Sequence, residues 1–170
     1  MASAHTVVWQ RARVAQTIEI ADRVRRIVLV PENPRPTPPG AHVDVRIEVE
    51  GQAVERSYSI VEPVGDDGAF ALSIFHSDAS RGGAAAMHAL RPGDTVAVTE
   101  PLQDFPYRPT SGPVVFLAGG VGVTAIVQMA RAARLAARPY RVLYCGRTAS
   151  AMPYLGELAA EHGDRFERHV

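Results

Sequence analysis

VERSYSI, residues 54–60, decides how the chain is read. Val, Tyr and Ile give it β character, yet the same seven residues hold an arginine, a tyrosine and two serines. Strand side chains alternate faces, so Arg56, Tyr58 and Ile60 point one way and Ser57 and Ser59 the other. A strand that only filled a core would carry aliphatics on its inner face. This one offers a cation, a flat ring and a hydroxyl within four residues, which filling a core does not call for. A solvated surface arginine is the plainer reading of Arg56 taken alone.

Around it the chain changes character once. Up to about residue 100, short β-type runs alternate with turn signals: ARVAQTIEI (12–20), VRRIVLV (24–30), AHVDVRIEV (41–49), VERSYSI, AFALSIFH (69–76) and DTVAVTE (94–100). The breaks between them, such as PENPRPTPPG, PVGDDG and RPGD, are rich in Pro, Gly and Asp. Only GAAAMHAL (83–90) looks helical there. Six strands and one small helix predict a closed antiparallel barrel. The four prolines of PLQDFPYRPTSGP (101–113) read as a connection, placing one domain at 1–105 and a second at 106–170. Beyond it the pattern is α/β: VVFLAGG, a helix over about 123–137, YRVLYCG, a helix over about 151–162, then FERHV. The first helix is expected to expose Gln128, Arg131, Arg134 and Arg138 and to bury Ile126, Met129, Ala130 and Ala133. The second takes Ser150 as N-cap, Pro153 in its first turn and Gly163 at its end. Three strands in so few residues leave sheet edges uncovered, so the α/β part reads as the beginning of a larger domain in a longer protein.

Composition narrows the chemistry. The 170 residues are 46% hydrophobic with a formal net charge of zero, which gives no sign of nucleic acid or an anionic membrane as partner. Every basic residue is arginine, which excludes Schiff-base and P-loop-lysine chemistry in this stretch. The start, MASAHTVVWQRARV, lacks the apolar core of a secretory signal, and no apolar run approaches a membrane span. A cytoplasmic protein is expected. The single Cys145 allows no internal disulfide and no cysteine-built metal site, so no metal ligands are assigned. His5, His88, His162 and His169 show no ligand spacing and are expected at the surface.

Two glycine-rich turns add to the signal. In FLAGGVGVTA (116–125) a buried strand runs into Gly119, Gly120 and Gly122, and a helix opens directly after. Such glycines let backbone amides approach a phosphate, and the helix start supplies free N–H groups. The acidic residue expected about 20 positions on is missing; the next strand ends in Cys145, Gly146 and Arg147. The turn is therefore either a nucleotide site outside the ordinary dehydrogenase pattern or a tight packing turn. SRGGAAAMH (80–88) repeats the logic at a second helix start, with packing again the alternative.

The order of these pieces is more specific than any of them. R-x-Y-S on a barrel strand, R-G-G at a helix start, a Pro-rich connection and A-G-G-V-G-V-T before an α/β part resemble the ferredoxin–NADP reductase-like flavoprotein superfamily. Within it the chain looks most like the phthalate dioxygenase reductase and vanillate demethylase reductase group, through GAHVDV (40–45), RSYSI (56–60), SRGGAAAMH, RPGDTVAV (91–98), PLQDFP (101–106) and LAGGVGVT (117–124). The resemblance implies a six-stranded antiparallel flavin-binding barrel followed by an incomplete parallel-sheet nucleotide-binding domain. It implies that Arg56 binds the flavin phosphate, that Tyr58 packs its ring on the isoalloxazine, and that Ser59 hydrogen-bonds near the reacting edge with Ser57 beside it. Tyr58 and Ser59 are thus the residues nearest the chemistry. Ile74, Phe75 and His76 would line the flavin with backbone. Arg81, Gly82, Gly83 and Ala84 match the phosphate-binding turn, with alanine where the group usually has serine. Gly119, Gly120, Val121, Gly122, Val123 and Thr124 match the pyridine-nucleotide turn, with Ala125 in place of its usual proline. Arg147 stands where an arginine can favour NADP, although the group mostly uses NADH. His42 and Asp44 match a His-x-Asp of the group and are expected to pack the barrel. Cys145 is not that superfamily's nicotinamide-facing cysteine and is expected to be buried.

The implied activity is an NAD(P)H-dependent flavoprotein oxidoreductase. NADH or NADPH reduces FMN, in preference to FAD, and electrons pass singly to an acceptor. In the resembled group that acceptor is a 2Fe–2S domain serving a Rieske oxygenase; any such domain lies outside these residues, which hold no four-cysteine set. A terminal oxygenase or ferredoxin-type protein is the expected partner. A stand-alone flavin reductase and a non-catalytic flavin- or nucleotide-binding module are the other two readings.

Overall fold

The computed structural model describes residues 7–108 and 111–170. His5, and two residues of the Pro-rich connection, lie outside the described residues. Among the described residues, ten strands form two sheets: β1 (Trp9–Ala21), β2 (Val24–Pro31), β3 (His42–Val49), β4 (Gln52–Ser59), β5 (Glu62–Val64), β6 (Ala69–Phe75) and β7 (Thr95–Thr99) in the first, β8 (Val114–Gly119), β9 (Tyr140–Cys145) and β10 (Phe166–His169) in the second. Helix α1 (Gly83–Ala89) lies between β6 and β7; α2 (Ile126–Leu135) and α3 (Leu155–His162) connect the parallel strands of the second sheet.

The first sheet is antiparallel with order β4-β3-β7-β1-β2-β6-β5. Its core is the alternating inner face of these strands: Val14, Ile27, Leu29, Val43, Val45, Phe70, Leu72, Ile74 and Val98, with Met87 of α1. The expected six strands are seven, and the expected closed barrel is an open, curved sheet whose edges are β4 and β5. Strand β5, three residues with a proline at its centre, adds to the outer side of β6 and is too short to carry a periodic signal. Helix α1 packs against β3 and β6 across the open side.

The second sheet is parallel, with order β10-β9-β8. Phe116, Ala118, Val142 and Tyr144 face α2 and α3 and share a core with Val127, Ala130, Ala133 and Leu158. Here the helix boundaries differ from expectation. A 3₁₀ turn, Gly120–Ala125, follows β8 directly, and α2 begins only at Ile126. Gln128, expected to be exposed, is 8% exposed and donates to the Ile60 carbonyl, whereas Ile126, Met129, Ala130 and Ala133 are buried as expected. Ser150 does not cap the last helix. Thr148 caps a short 3₁₀ turn, Ala149–Ala151, Pro153 precedes the helix, and Tyr154 enters α3 in left-handed backbone at φ 63°. Gly163, at φ 52°, ends that helix. Cys145 is exposed rather than buried, because it shares the uncovered face of β9 with Arg141. His162 is buried rather than at the surface, since its ring fits against Tyr140 and bonds the hydroxyl. No helix among the described residues is long and apolar enough to cross a membrane.

Candidate flavin and nucleotide site

Strand β4 behaves as its alternation requires. Val54 and Tyr58 pack on the core of the curved sheet, while Ser57 and Ser59 face the other way. The strand ends at Ser59. Ser57 donates to Asp44 Oδ1 on β3, and Asp44 N–H donates to Thr99 Oγ1 at 3.0 Å. His42 pairs with Ser59 across the ladder and lies 3.9 Å from Asp104. Asp44 is thus tied into the sheet by these bonds, whereas His42 faces an opening. Burial pushes the Tyr58 hydroxyl above its ordinary range, with Arg56 acting weakly in the opposite direction.

Arg56 and the RGG turn, far apart in sequence, meet in space. Gly83, the first residue of α1, sits against the Arg56 side chain: a Cβ there would stand 3.1 Å from Nε and 3.3 Å from Cγ. Gly82 has left-handed backbone at φ 82°, and a Cβ on it would overlap Val49. Gly82 is therefore required by the protein's own packing and backbone, whereas a side chain on Gly83 would make Arg56 shift by a few tenths of an ångström. What packing leaves unexplained is charge. Arg56 donates only to the Glu55 carbonyl, Arg81 is exposed, and neither has a carboxylate partner among the described residues. No acidic residue stands in the first turn of α1. Two guanidinium groups beside a helix start fit a phosphate group.

The end of β6 is mixed. Ile74 is buried and its carbonyl is bonded by His88 Nε2 at 2.8 Å; Phe75 is exposed, and His76 N–H donates to the Arg23 carbonyl at 2.9 Å. His88 is thus half-buried, not a surface residue. Ala84 packs partly on the core.

The second glycine turn contrasts with the first. Nothing lies within 4 Å of where a Cβ would stand on Gly119, Gly120 or Gly122, and Gly120 has φ 49°. Close packing within the chain does not require these glycines, and their backbone is open to an approaching group. Val123 and Thr124 are buried, and Val121 is half-buried, so the turn presents mainly its backbone. Tyr144, which sequence reasoning passed over, holds the turn in place: its hydroxyl donates between the Gly120 and Pro153 carbonyls, with its oxygen 3.1 Å from each. Burial pushes that hydroxyl well above its ordinary range. Arg147 is exposed just beyond β9, at the same end of the parallel sheet.

The two parts face one cleft of about 300 Å³, lined by Gly40, His42, Ser57, Ser59, Asp104, Phe105 and Ala125. Ser59 ends the motif strand; Ala125 ends the glycine turn. Gly40, at φ 86°, is a second residue that the sequence reading missed. A Cβ on it would overlap the Phe105 carbonyl oxygen and Met129 Cε, so only glycine lets the loop before β3, the connection and α2 meet there.

The sequence profile of the oxidoreductase FAD-binding domain family matches residues 11–107. The chain belongs to that family. Among relatives, the tetrachlorobenzoquinone reductase of Sphingobium chlorophenolicum is 32% identical over 168 residues, 96% of this chain and 50% of that protein. A vanillate O-demethylase oxidoreductase of a Pseudomonas species is 32% identical over 114 residues, 66% of this chain and 35% of that protein. Among solved structures, phthalate dioxygenase reductase superposes with a TM-score of 0.82 at 25% identity, over 95% of this chain and 51% of that one. The chain thus spans about half or less of the length of these three proteins. Membership of the oxidoreductase FAD-binding domain family agrees with the resemblance carried by the sequence motifs, and the phthalate dioxygenase reductase likeness extends it to the second sheet.

Proposed function

We propose that the chain forms the flavin site and the first part of the nucleotide site of an NAD(P)H-dependent flavoprotein reductase that supplies electrons to an oxygenase. The observation that carries the reading is the shared cleft: Ser59, at the end of the arginine–tyrosine–serine strand, and Ala125, at the end of the glycine turn, line the same opening. A flavin held by Arg56, Tyr58 and Ser59 would supply the redox chemistry, taking a hydride from a nicotinamide and passing electrons on singly.

The chain's own residues bind and orient. Arg56 and Arg81 hold the flavin phosphate with charge-assisted hydrogen bonds beside the start of α1. Tyr58, half-buried against the core, offers the free part of its ring as a flat apolar surface, and Ser59 a hydroxyl at the cleft. Ile74, Phe75, His76, Gly82, Gly83 and Ala84 border the same ligand. Backbone of Gly119, Gly120, Val121 and Gly122 receives the nucleotide pyrophosphate, with Val123 and Thr124 anchoring the turn in the core and Arg147 on the ribose side. FMN is the preferred flavin, because SRGGAAAMH matches the FMN-using group that the chain resembles. NADH is the preferred nucleotide, following the resembled group. The one-electron acceptor is an iron–sulfur protein or domain, and the oxygenase it serves acts on an aromatic compound.

Reconstitution followed by an absorption spectrum tests this. Visible flavin bands are expected for this chain, with bleaching on anaerobic addition of NADH orders of magnitude slower than in the longer protein, and mass spectrometry of the heat-released cofactor should find FMN. FAD as the sole species would overturn the choice of flavin, a preference for NADPH the choice of nucleotide, and failure to bind any flavin the reading itself.

A further inference from the structure

The seam between the two sheets holds a polar cluster that neither glycine turn uses. Arg131 on α2 donates through Nη1 to Glu62 Oε2 on β5 at 2.6 Å, and through Nε and Nη2 to the two carboxylate oxygens of Glu161 on α3, each at 2.8 Å. The other oxygen of Glu62 accepts from Arg26 Nη2 on β2 at 2.8 Å. All four side chains are largely shielded, between 16% and 28% exposed. Beside them Ser73 on β6 and Tyr154, at the entry to α3, share a buried hydrogen bond of 2.6 Å. One helical turn before Arg131, Gln128 donates to the Ile60 carbonyl.

Such a cluster is weak evidence for stability, since desolvating four charges offsets most of their attraction. Its strength is directional. Apolar adhesion across the seam comes from Val61, fully buried in the core of the second sheet, and from Ile20 packed against that core, but apolar contact tolerates sliding. A guanidinium fork bonded to two carboxylates on different elements does not. Both ends of the cluster are tied to the cleft walls. Glu62 follows Ser59 by three residues through the bonded Ile60 and buried Val61, and Arg131 follows Ala125 along the continuous helix α2.

We propose that Arg131, gripped between Glu62 and Glu161, is a positioning residue that sets the angle between the two sheets and thereby the width of the cleft between Ser59 and Ala125. This rests on the reading that flavin and nucleotide occupy the two sides of that cleft. Hydride transfer depends steeply on the separation and alignment of the two rings, so a loosened seam lowers the rate without weakening either binding site.

The chain supplies its own reporters: its single tryptophan, Trp9, is on the first sheet, and its single, exposed cysteine, Cys145, is on the second. Time-resolved energy transfer from Trp9 to a fluorophore on Cys145 reads the distribution of distances between the sheets. A narrow distribution is expected for the unaltered chain, and a broadened or shifted one for Arg131→Gln and Glu62→Gln. Arg131→Lys should behave like Arg131→Gln, because it keeps the charge but loses the fork. In unlabelled Arg131→Gln, nucleotide-driven flavin reduction should fall roughly tenfold or more, with flavin and nucleotide affinities within about twofold of the unaltered chain. Distributions identical to that of the unaltered chain in all three variants would overturn the proposal. If Arg131→Gln does not fold, Glu161→Gln, which leaves the Glu62 bond in place, decides the matter by the same measurement. Failure of the unaltered chain to bind flavin would refute the functional reading, while the distance distributions still judge the clamp.

Discussion

Arg56 and Gly83 touch across strand β4 and the start of α1, so closely that a methyl group on the glycine would stand 3.1 Å from the arginine Nε. The contact orients a guanidinium that has no carboxylate partner among the described residues. Arg56→Ala removes a charge-assisted phosphate contact worth about 1.5–3 kcal/mol, so FMN should bind roughly ten- to hundredfold more weakly while riboflavin changes little. Gly83→Ala should act in the same direction by a smaller amount, because the flexible arginine can shift. Fluorescence titration with both flavins checks this; equal losses for FMN and riboflavin would remove the phosphate assignment.

Gly40 holds the junction of the two sheets. An alanine there meets the Phe105 carbonyl and Met129 Cε while its own backbone sits at φ 86°. Left-handed backbone costs a non-glycine residue about 1–2 kcal/mol and overpacking about 1–3 kcal/mol more. Gly40→Ala should therefore lower the unfolding free energy by about 2–5 kcal/mol in denaturant titrations. A loss below about 1 kcal/mol would mean that the loop relaxes freely.

Tyr154 and Ser73 satisfy each other in a buried position. Tyr154→Phe keeps the ring and strands the serine hydroxyl, at a cost of about 1–3 kcal/mol. The double change with Ser73→Ala should recover most of that loss. A double variant as unstable as the sum of the two single ones would show that the hydroxyls act independently.

His162 links stability to pH. Its Nδ1 lies 2.6 Å from the Tyr140 hydroxyl, its Nε2 is buried without a partner, and burial, opposed by Glu161, lowers its pKa. The unfolded chain takes up a proton near pH 6.5, whereas the folded ring resists it. The unfolded state therefore binds more protons below that pH, and the contribution of His162 is present above about 6.5 and lost as pH falls. The melting temperature should drop between pH 7 and pH 5 more steeply than in His162→Phe, whatever the variant's absolute stability. Parallel slopes would show that the folded ring takes up its proton as readily as the unfolded one.

Much of this molecule is determined locally. The alternation of VERSYSI put Tyr58 on the core and Ser57 and Ser59 on the opposite face, and the glycine run after β8 marked the turn whose backbone stays open. Strands and turns of this kind are set by neighbouring residues, so the sequence by itself was enough for them. Alternation along β9 also holds the information that Cys145 faces away from the helices, since Tyr140, Val142 and Tyr144 take the covered face.

Other features have no local cause. Strand β5 is three residues around a proline and exists because β6 offers it a partner. Gln128 and Arg131 read as an exposed helix face until the curved sheet arrives to bond them. His162 reads as a surface residue until Tyr140 covers it. Gly40 reads as an ordinary turn glycine, and only the meeting of the connection with α2 makes it indispensable. These positions are decided by contacts between segments distant along the chain. Which polar group is buried, and by whom, depends on how two separately readable sheets come to rest against each other.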